Sequence, residues 1–263
     1  MKAKREINLY LELLKKTILF EIWSKKEIYS PTGRPIPSEL NEFLNSHNWP
    51  TIAHSMIGRP RMDQLHDAME SVIKDNIKGD FIETGVWRGG SCIFMRGFLK
   101  AYSIQNRNVW VADSFKGLPV PNEEKYPHDA GDILWTSDYL SVSLEQVQQN
   151  FRKYDLLDDQ VKFLKGWFKD TLPSAPFGKI AIARLDGDLY ESTMDSLTNL
   201  YHKVSPDGFI IIDDYELPTC KPAVHDFRQQ NKINEPLIRI DPHSVYWRKR
   251  KRQMIPTLKQ IGI

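Results

Sequence analysis

Residues 79–91 of the chain read GDFIETGVWRGGS and carry its clearest structural signal. The apolar run at 80–83 is typical of a short buried strand, and the pattern at 91–102 is typical of a helix. A glycine-rich turn lies between them, where glycine lets the backbone turn tightly and approach a ligand. This stretch therefore predicts a strand, a ligand-binding turn and a helix.

The sequence that follows repeats this alternation of short apolar runs and helical patterns, which is typical of a parallel sheet covered by helices on both faces. Further strands are predicted at 109–112, 161–164, 180–185, 208–212, 236–240 and 244–247, the last two as a hairpin at one edge of the sheet. Four strands end at acidic residues, which are Glu83, Asp113, Asp186 and Asp213. Each acid alone could cap a helix, but ligands of open α/β sheets bind at the carboxyl ends of the strands, so we expect the four to converge on one cleft.

The chain is predicted to contain one main domain with additions. Residues 1–55 form an N-terminal helical extension and linker, residues 56–250 the main α/β domain, and residues 251–263 a basic tail. The connection at 119–143 has the length of a lid, a binding loop or a disordered segment. Apolar residues recur at helical spacing in the extension, at Ile7, Leu11, Leu14, Ile18 and Ile22. Such a stripe can pack on its own domain, join two copies of the chain or lie on a membrane surface. We expect a homo-oligomer formed through this helix.

The composition is that of an ordinary globular protein. Of the 263 residues, 41% are apolar and 27% charged, and the net charge of +2 gives no general attraction to polyanions. Two cysteines, Cys92 and Cys220, cannot build a disulfide framework, which favours a reducing, cytoplasmic location. The longest apolar stretch, at 17–23, is interrupted by Glu21, so neither a membrane span nor a signal peptide is expected.

The glycine-rich turn does not match a dinucleotide fingerprint. Trp87 and Arg88 stand where that motif needs small residues, and Asp113 follows Gly85 by 28 positions instead of about 20. Glu83 would repel a phosphate and attract a cationic group, while Asp113 is placed for a ribose diol. These features indicate an adenosine ligand with positive charge, such as S-adenosylmethionine. A nicotinamide-dependent sugar enzyme is the alternative, to be distinguished by the cofactor that raises the melting temperature.

Five motifs, in this order and spacing, resemble the macrocin O-methyltransferase family: IETGVWRGGS, VADSFKGLP, FLKGWFKDTLP, LDGDLYEST and IIDDY. Members of that family methylate hydroxyls on the sugars of macrolide and aminocoumarin antibiotics. The resemblance covers residues 56–247. It implies an α/β class I methyltransferase (Rossmann-like) fold, with a seven-stranded, mostly parallel sheet whose last strand is antiparallel. It also implies S-adenosylmethionine and Mg²⁺ as cofactors.

The resemblance assigns cofactor-binding residues to several parts of the chain. The methionine end of S-adenosylmethionine is expected to bind at Glu83, Thr84, Gly85 and Ser91, with Trp87 and Arg88 in the same turn. The ribose is expected to bind at Asp113 and Ser114, and the adenine at Gly166 and Trp167. Met56 and Ile57 resemble the segment that closes over the cofactor.

Four acids after two predicted strands indicate a metal site. Asp186, Asp188, Asp213 and Asp214 would repel one another unless a cation or protons lay among them, and Mg²⁺ prefers such oxygen ligands. By the resemblance, Asp186, Asp213 and Asp214 hold the metal. Asp188 is the expected catalytic base. It could instead be a ligand, with His128 of the lid as the base, or a helix cap or surface acid without a catalytic role.

The expected function is methyl transfer to a sugar hydroxyl of a glycosylated small molecule or glycan. Lid aromatics, namely Tyr126, Trp135 and Tyr139, could stack on the acceptor or simply anchor the lid. The alternative function is a methyltransferase or binding protein that acts on nucleic acid through the basic run at 248–252. That run follows an edge strand, so a solvated tail with no nucleic-acid partner is the simpler interpretation.

Overall fold

The structure, a computed structural model, describes residues 2–23 and 52–250 of the chain. Most of the predicted linker and all of the predicted basic tail at 251–263 lie outside the described residues. No helix within the described ranges is long and apolar enough to cross a membrane. Both cysteines fall inside those ranges, where they are buried free thiols.

A seven-stranded sheet forms the centre of the domain. Its strands are β1 (Asp80–Thr84), β2 (Val109–Asp113), β3 (Val161–Lys165), β4 (Ile180–Leu185), β5 (Val204–Ile212), β6 (Ile238–Arg239) and β7 (Val245–Arg248). Their order is β3-β2-β1-β4-β5-β7-β6. Strands β1 to β5 pair in parallel, and β7 lies antiparallel between β5 and β6. The predicted mostly parallel sheet with an antiparallel last strand is confirmed.

Helices cover both faces of this sheet. They are α1 (Lys2–Ile18), α2 (Gly58–Lys74), α3 (Gly90–Ala101), α4 (Leu144–Lys153), α5 (Phe168–Thr171), α6 (Tyr190–Leu200) and α7 (Cys220–Gln230). One apolar core packs α1 to α4 against one face, and a second packs α6 and α7 against the other. Successive residues of β1 show this division, because Phe81 belongs to the first core and Ile82 to the second. The lid at 119–143 contains three short 3₁₀ turns, at Pro127–Asp129, Leu134–Thr136 and Asp138–Leu140.

Helix α1 buries most of its predicted apolar stripe within its own chain. Leu11, Leu14 and Ile18 are buried, whereas Ile22 beyond the helix is exposed. A methyl group added at Gly97 of α3 would lie 2.3 Å from a Leu14 side-chain carbon, so the two helices touch closely there. Leu9 and Leu13 remain exposed on α1. The predicted homo-oligomer contact stays a prediction, and the stripe itself has a partner in α3.

This packing predicts a contrast between two leucines of α1. Replacing Leu14 (5% exposed) with alanine is expected to lower the free energy of unfolding by about 2–5 kcal/mol, because it leaves a cavity against α3. Replacing Leu13 (57% exposed) with alanine is the control, expected to change it by no more than about 0.5 kcal/mol. Urea unfolding of both variants measures the difference. Equal effects would mean that α1 does not dock on α3 by this face.

Candidate active site

A cleft of about 640 Å³ opens at the carboxyl ends of β1, β2, β4 and β5. This volume is within the range of small-molecule sites. All four strand-end acids named from the sequence line it. The other predicted site residues that line it are Met56, Ile57, Gly85, Trp87, Ser91, Ser114, Trp167, Asp188 and Asp214. The structure therefore brings these segments together at one cleft.

The turn after β1 places the end of that strand against β4. Gly85 has a φ of +81°, and a Cβ there would lie 1.7 Å from the carbonyl oxygen of Asp186, so only glycine fits. The Asp186 amide donates a hydrogen bond to the Thr84 carbonyl at 2.9 Å, which continues the strand pairing into the turn. The floor of the cleft is thus built from two backbones in direct contact.

Asp113 holds the glycine-rich turn in shape. One of its carboxylate oxygens accepts a hydrogen bond from the Val86 amide at 2.7 Å, and the other accepts one from the Phe115 amide at 2.7 Å. Burial raises the pKa of Asp113, and these amide donors oppose that shift. The Ser114 hydroxyl donates to the Gly117 carbonyl at 2.6 Å. Asp113 therefore organises the turn as well as lining the cleft.

Arg184 of β4 connects three acids that line the cleft. Its side chain is almost fully buried, and its guanidinium forms ion pairs with Glu83, Asp186 and Asp213. Burial raises the pKa of Glu83 to about 7, although the charge of Arg184 opposes the shift. Arg184 is not among the site residues predicted from the sequence. An arginine inside an otherwise apolar strand was the available signal, because a buried cation needs anionic partners.

Asp213 is held by a second arginine. Arg61 of α2 donates to an Asp213 oxygen at 2.5 Å and, through Nε, to Asp241 at 2.6 Å. The other Asp213 oxygen pairs with Arg184. Both oxygens of this carboxylate are therefore engaged by guanidinium groups. Sequence reasoning missed Arg61, and no local pattern marks it.

Asp186, Asp188 and Asp214 form a compact carboxylate cluster. One oxygen of each lies within 4.8 Å of the others. Burial, followed by the charges of Asp186 and Asp213, raises the pKa of Asp188 to about 8. Burial and neighbouring acids also raise the pKa of Asp214 well above its usual value. Carboxyl groups this close share protons or surround a cation.

Two members of the ligand set expected from the sequence, Asp186 and Asp214, belong to this cluster. The third, Asp213, lies outside it, with its two oxygens on Arg61 and Arg184, and the expected set of Asp186, Asp213 and Asp214 stays a prediction. Asp188 joins the cluster through a left-handed backbone. Its φ is +54°, and its amide donates to the Asp214 carboxylate at 3.2 Å. The Thr219 hydroxyl donates to the Asp188 carbonyl at 2.6 Å and fixes this conformation.

Three residues expected to bind the cofactor do not line the cleft. Thr84 is buried, with its hydroxyl 3.3 Å from that of Ser196. The Arg88 guanidinium lies 4.2 Å from the centre of the Trp87 ring and donates to the Ala53 carbonyl at 2.9 Å. The Gly166 amide donates to the Asp113 carbonyl at 2.9 Å. Each of these groups contacts the scaffold behind the site.

The lid residues have mainly packing contacts. His128, the alternative base, stacks on Tyr190 with ring centres 5.1 Å apart and does not line the cleft. Tyr126 packs on the same ring at 5.9 Å. The Trp87 indole donates to the Tyr139 carbonyl at 2.9 Å, while Trp135 is exposed. These contacts fix the lid beside the cleft.

The described part of the basic run, Arg248 to Arg250, lies away from the cleft and contacts its own domain. Arg248 pairs with Asp75 at 3.1 Å and covers the Phe209 ring. The Lys249 ammonium donates to the carbonyls of Tyr201 and Val204 at 2.8 Å each. The other two basic residues of the run lie outside the described residues. The run therefore continues from β7, which lies inside the sheet next to the short edge strand β6 and is not itself the edge.

The sheet order, the glycine-rich turn after β1 and the acid-lined cleft at the strand ends define a class I methyltransferase. The family model described as Macrocin-O-methyltransferase (TylF) matches residues 7–249. The chain belongs to this family and is an O-methyltransferase.

Individual relatives match over nearly the whole chain. Mycinamicin III 3''-O-methyltransferase of Micromonospora griseorubida is 46% identical over 254 residues, which cover 95% of this chain and 99% of the relative. A Streptomyces olivaceus enzyme, 8-demethyl-8-(2,3-dimethoxy-alpha-L-rhamnosyl)-tetracenomycin-C 4'-O-methyltransferase, is 48% identical over 244 residues, covering 92% of each chain. The structure of the O-methyltransferase NovP matches with a TM-score of 0.83 and 46% identity, over 93% of this chain and 100% of that one. The family-level expectation from the five motifs is confirmed.

Proposed function

We propose that this chain transfers a methyl group from S-adenosylmethionine to a sugar hydroxyl of a glycosylated small molecule, with the help of Mg²⁺. The observation that carries the proposal is the cluster of Asp186, Asp188 and Asp214 inside a cleft that also contains Glu83 and Asp113. The names of two relatives support the acceptor class. One acts at a 3'' position of mycinamicin III, and the other at a 4' position of a rhamnosyl tetracenomycin.

The donor set of the cluster fits a hard divalent cation. Three carboxylates offer the oxygen ligands that Mg²⁺ takes, and such a site leaves positions for water or substrate. Two of these acids have strongly raised pKa values, so their ionised forms need a compensating positive charge. Asp186, Asp188 and Asp214 would hold the ion. When bound there, it would lower the pKa of the acceptor hydroxyl and orient its oxygen.

The part of the cleft at the glycine-rich turn fits the donor. Glu83 and Asp113 lie at the glycine-rich turn, where a carboxylate suits an ammonium group and a second acid suits a ribose diol. Trp167 contributes an aromatic surface for adenine, and Met56 and Ile57 line the entrance beside α2. S-adenosylmethionine supplies the methyl group on a sulfonium, which becomes a neutral thioether after transfer. The protein's part is to hold this donor in line with the acceptor oxygen, an orientation effect of about 7–11 kcal/mol in favourable cases.

Asp188 is the residue to which we assign the acceptor proton. Its half-buried side chain lines the cleft, and its backbone is fixed by Asp214 and Thr219. One carboxylate oxygen can face the cluster while the other accepts the hydroxyl proton, as the acceptor oxygen forms its bond to the methyl carbon. The lid contact between Trp87 and Tyr139 would keep water out of the cleft during this step.

Chelation tests the metal dependence. We expect EDTA to abolish methyl transfer to a glycosylated acceptor such as a rhamnosylated polyketide, and excess Mg²⁺ to restore it. The readout is the methylated product, measured by mass spectrometry. As a control, the rise in melting temperature caused by S-adenosylhomocysteine should persist in EDTA, because Glu83 and Asp113 are not among the three acids of the cluster. Undiminished turnover in EDTA would refute the role of the metal.

A further inference from the structure

The lid contributes a fully buried carboxylate to the helix that follows the acidic cluster. Asp129 ends the first 3₁₀ turn of the lid and has no exposed surface. One of its oxygens accepts a hydrogen bond from the Tyr190 amide at 2.6 Å, and the other accepts one from the Glu191 amide at 3.1 Å. These are the first two amides of α6. The residue before them, Leu189, has no side chain able to cap the helix.

Asp129 therefore supplies from the lid the cap that the local sequence lacks. Helix N-termini leave backbone amides without partners, and an acidic side chain there is favourable both as an acceptor and through the helix dipole. Aromatic contacts hold the lid in this position, because Tyr126 and His128 both pack on the Tyr190 ring. The Tyr190 hydroxyl in turn donates to Asp226 of α7 at 2.8 Å. The lid is thus fastened to the start of α6 by several independent contacts.

The start of α6 is directly joined to the acidic cluster. Asp188 precedes Tyr190 by two residues and has a left-handed backbone, which its surroundings hold in place. Two of those surroundings are Asp214 and Thr219, which bond the Asp188 amide and carbonyl. The first turn of α6 is the third of these surroundings, and Asp129 holds that turn in place.

We infer that Asp129 is a positioning residue that makes the geometry of the acidic cluster depend on docking of the lid. A lid in place caps α6 and fixes Asp188 beside Asp186 and Asp214. A lid out of place leaves two amides of α6 without acceptors and lets Asp188 move from the cluster. The site for the acceptor and metal is then complete only when the lid covers it. This inference rests on the proposed Mg²⁺ site.

The test compares Asp129→Asn with Asp138→Asn, which alters an exposed acid on the same lid. The asparagine amide can accept from one α6 amide but not from both. For Asp129→Asn we expect a Mg²⁺ concentration for half-maximal thermal stabilisation that is roughly 5- to 10-fold higher, and a kcat lower by a similar factor. The dissociation constant of S-adenosylhomocysteine should stay unchanged. Asp138→Asn should match the wild type in every measurement.

Hydrogen exchange of the wild-type protein gives a second measurement. In the wild-type protein, Mg²⁺ should slow exchange of the Tyr190 and Glu191 amides and of the lid at 126–130, because coupling between two sites is reciprocal. The inference fails if the wild type responds to Mg²⁺ but Asp129→Asn responds identically, or if exchange at these amides ignores the metal. A wild type whose stability and turnover both ignore Mg²⁺ overturns the proposed metal site and this inference together. The two failures are therefore distinguishable.

Discussion

Replacing Arg184 with methionine is expected to lower the free energy of unfolding by about 3–5 kcal/mol, since it removes one partner of a buried ion pair. The guanidinium is nearly inaccessible to solvent and is shared by Glu83, Asp186 and Asp213. Methionine fills much of the space but supplies no positive charge. Among the residues that the structure describes, Glu83 would then keep only neutral donors such as the Cys92 thiol, and Asp213 only Arg61. The loss should also weaken binding of S-adenosylhomocysteine, because the turn at Glu83 loses its support.

Two further variants separate this role from simple loss of a surface charge. Arg184→Lys keeps the charge but not the planar fork that reaches several acids, so we expect it to recover only part of the stability. Arg239→Met removes an arginine that pairs with Glu216 but is 57% exposed, and it should cost less than about 1 kcal/mol. Urea unfolding midpoints measure all three variants. An Arg184→Met protein as stable as Arg239→Met would show that the buried acids do not need this cation.

The sequence predicts the strands of the sheet better than it predicts where each element begins. The strands were predictable because the runs of β1, β2, β4 and β5 are short, apolar and bounded by turn residues. The boundaries of the helices and strands were less predictable. Helix α2 begins at Gly58, and Pro60 is compatible with a first helical turn. Strand β5 begins at Val204 instead of 208, and its register against β4 shifts between Ile180 and Ile182.

At the site, the sequence identified the acids but not their partners. Strand ends in an α/β sheet converge, so placing Glu83, Asp113 and Asp186 together required only the strand order. Arg61 comes from a helix 152 positions before Asp213 in the chain, and nothing local indicates that it neutralises that acid. Asp129 reaches α6 from a lid whose 3₁₀ turns have no strong periodic signal. Such partners depend on tertiary packing, so no local pattern in the sequence indicates them.

The change with the largest expected effect on turnover is Asp188→Asn, which should lower kcat by roughly 10²- to 10⁴-fold if Asp188 removes the acceptor proton. The fold should persist for two reasons. Asparagine has nearly the same shape, and it tolerates the left-handed backbone that Asp188 adopts. The hydrogen bonds at this position involve the Asp188 backbone, which the substitution leaves in place. Binding of S-adenosylhomocysteine should therefore match that of the wild type.

Asp214→Asn is the comparison that separates proton transfer from metal binding. Both residues belong to the cluster, so each substitution should raise the Mg²⁺ concentration needed for activity. At saturating Mg²⁺, we expect Asp214→Asn to recover much of its turnover, since an amide oxygen can still act as a ligand. Asp188→Asn should stay slow at every Mg²⁺ concentration, because an amide cannot accept the proton. If Asp188→Asn also recovers at high Mg²⁺, Asp188 serves only the metal, and another group in the cleft takes the proton.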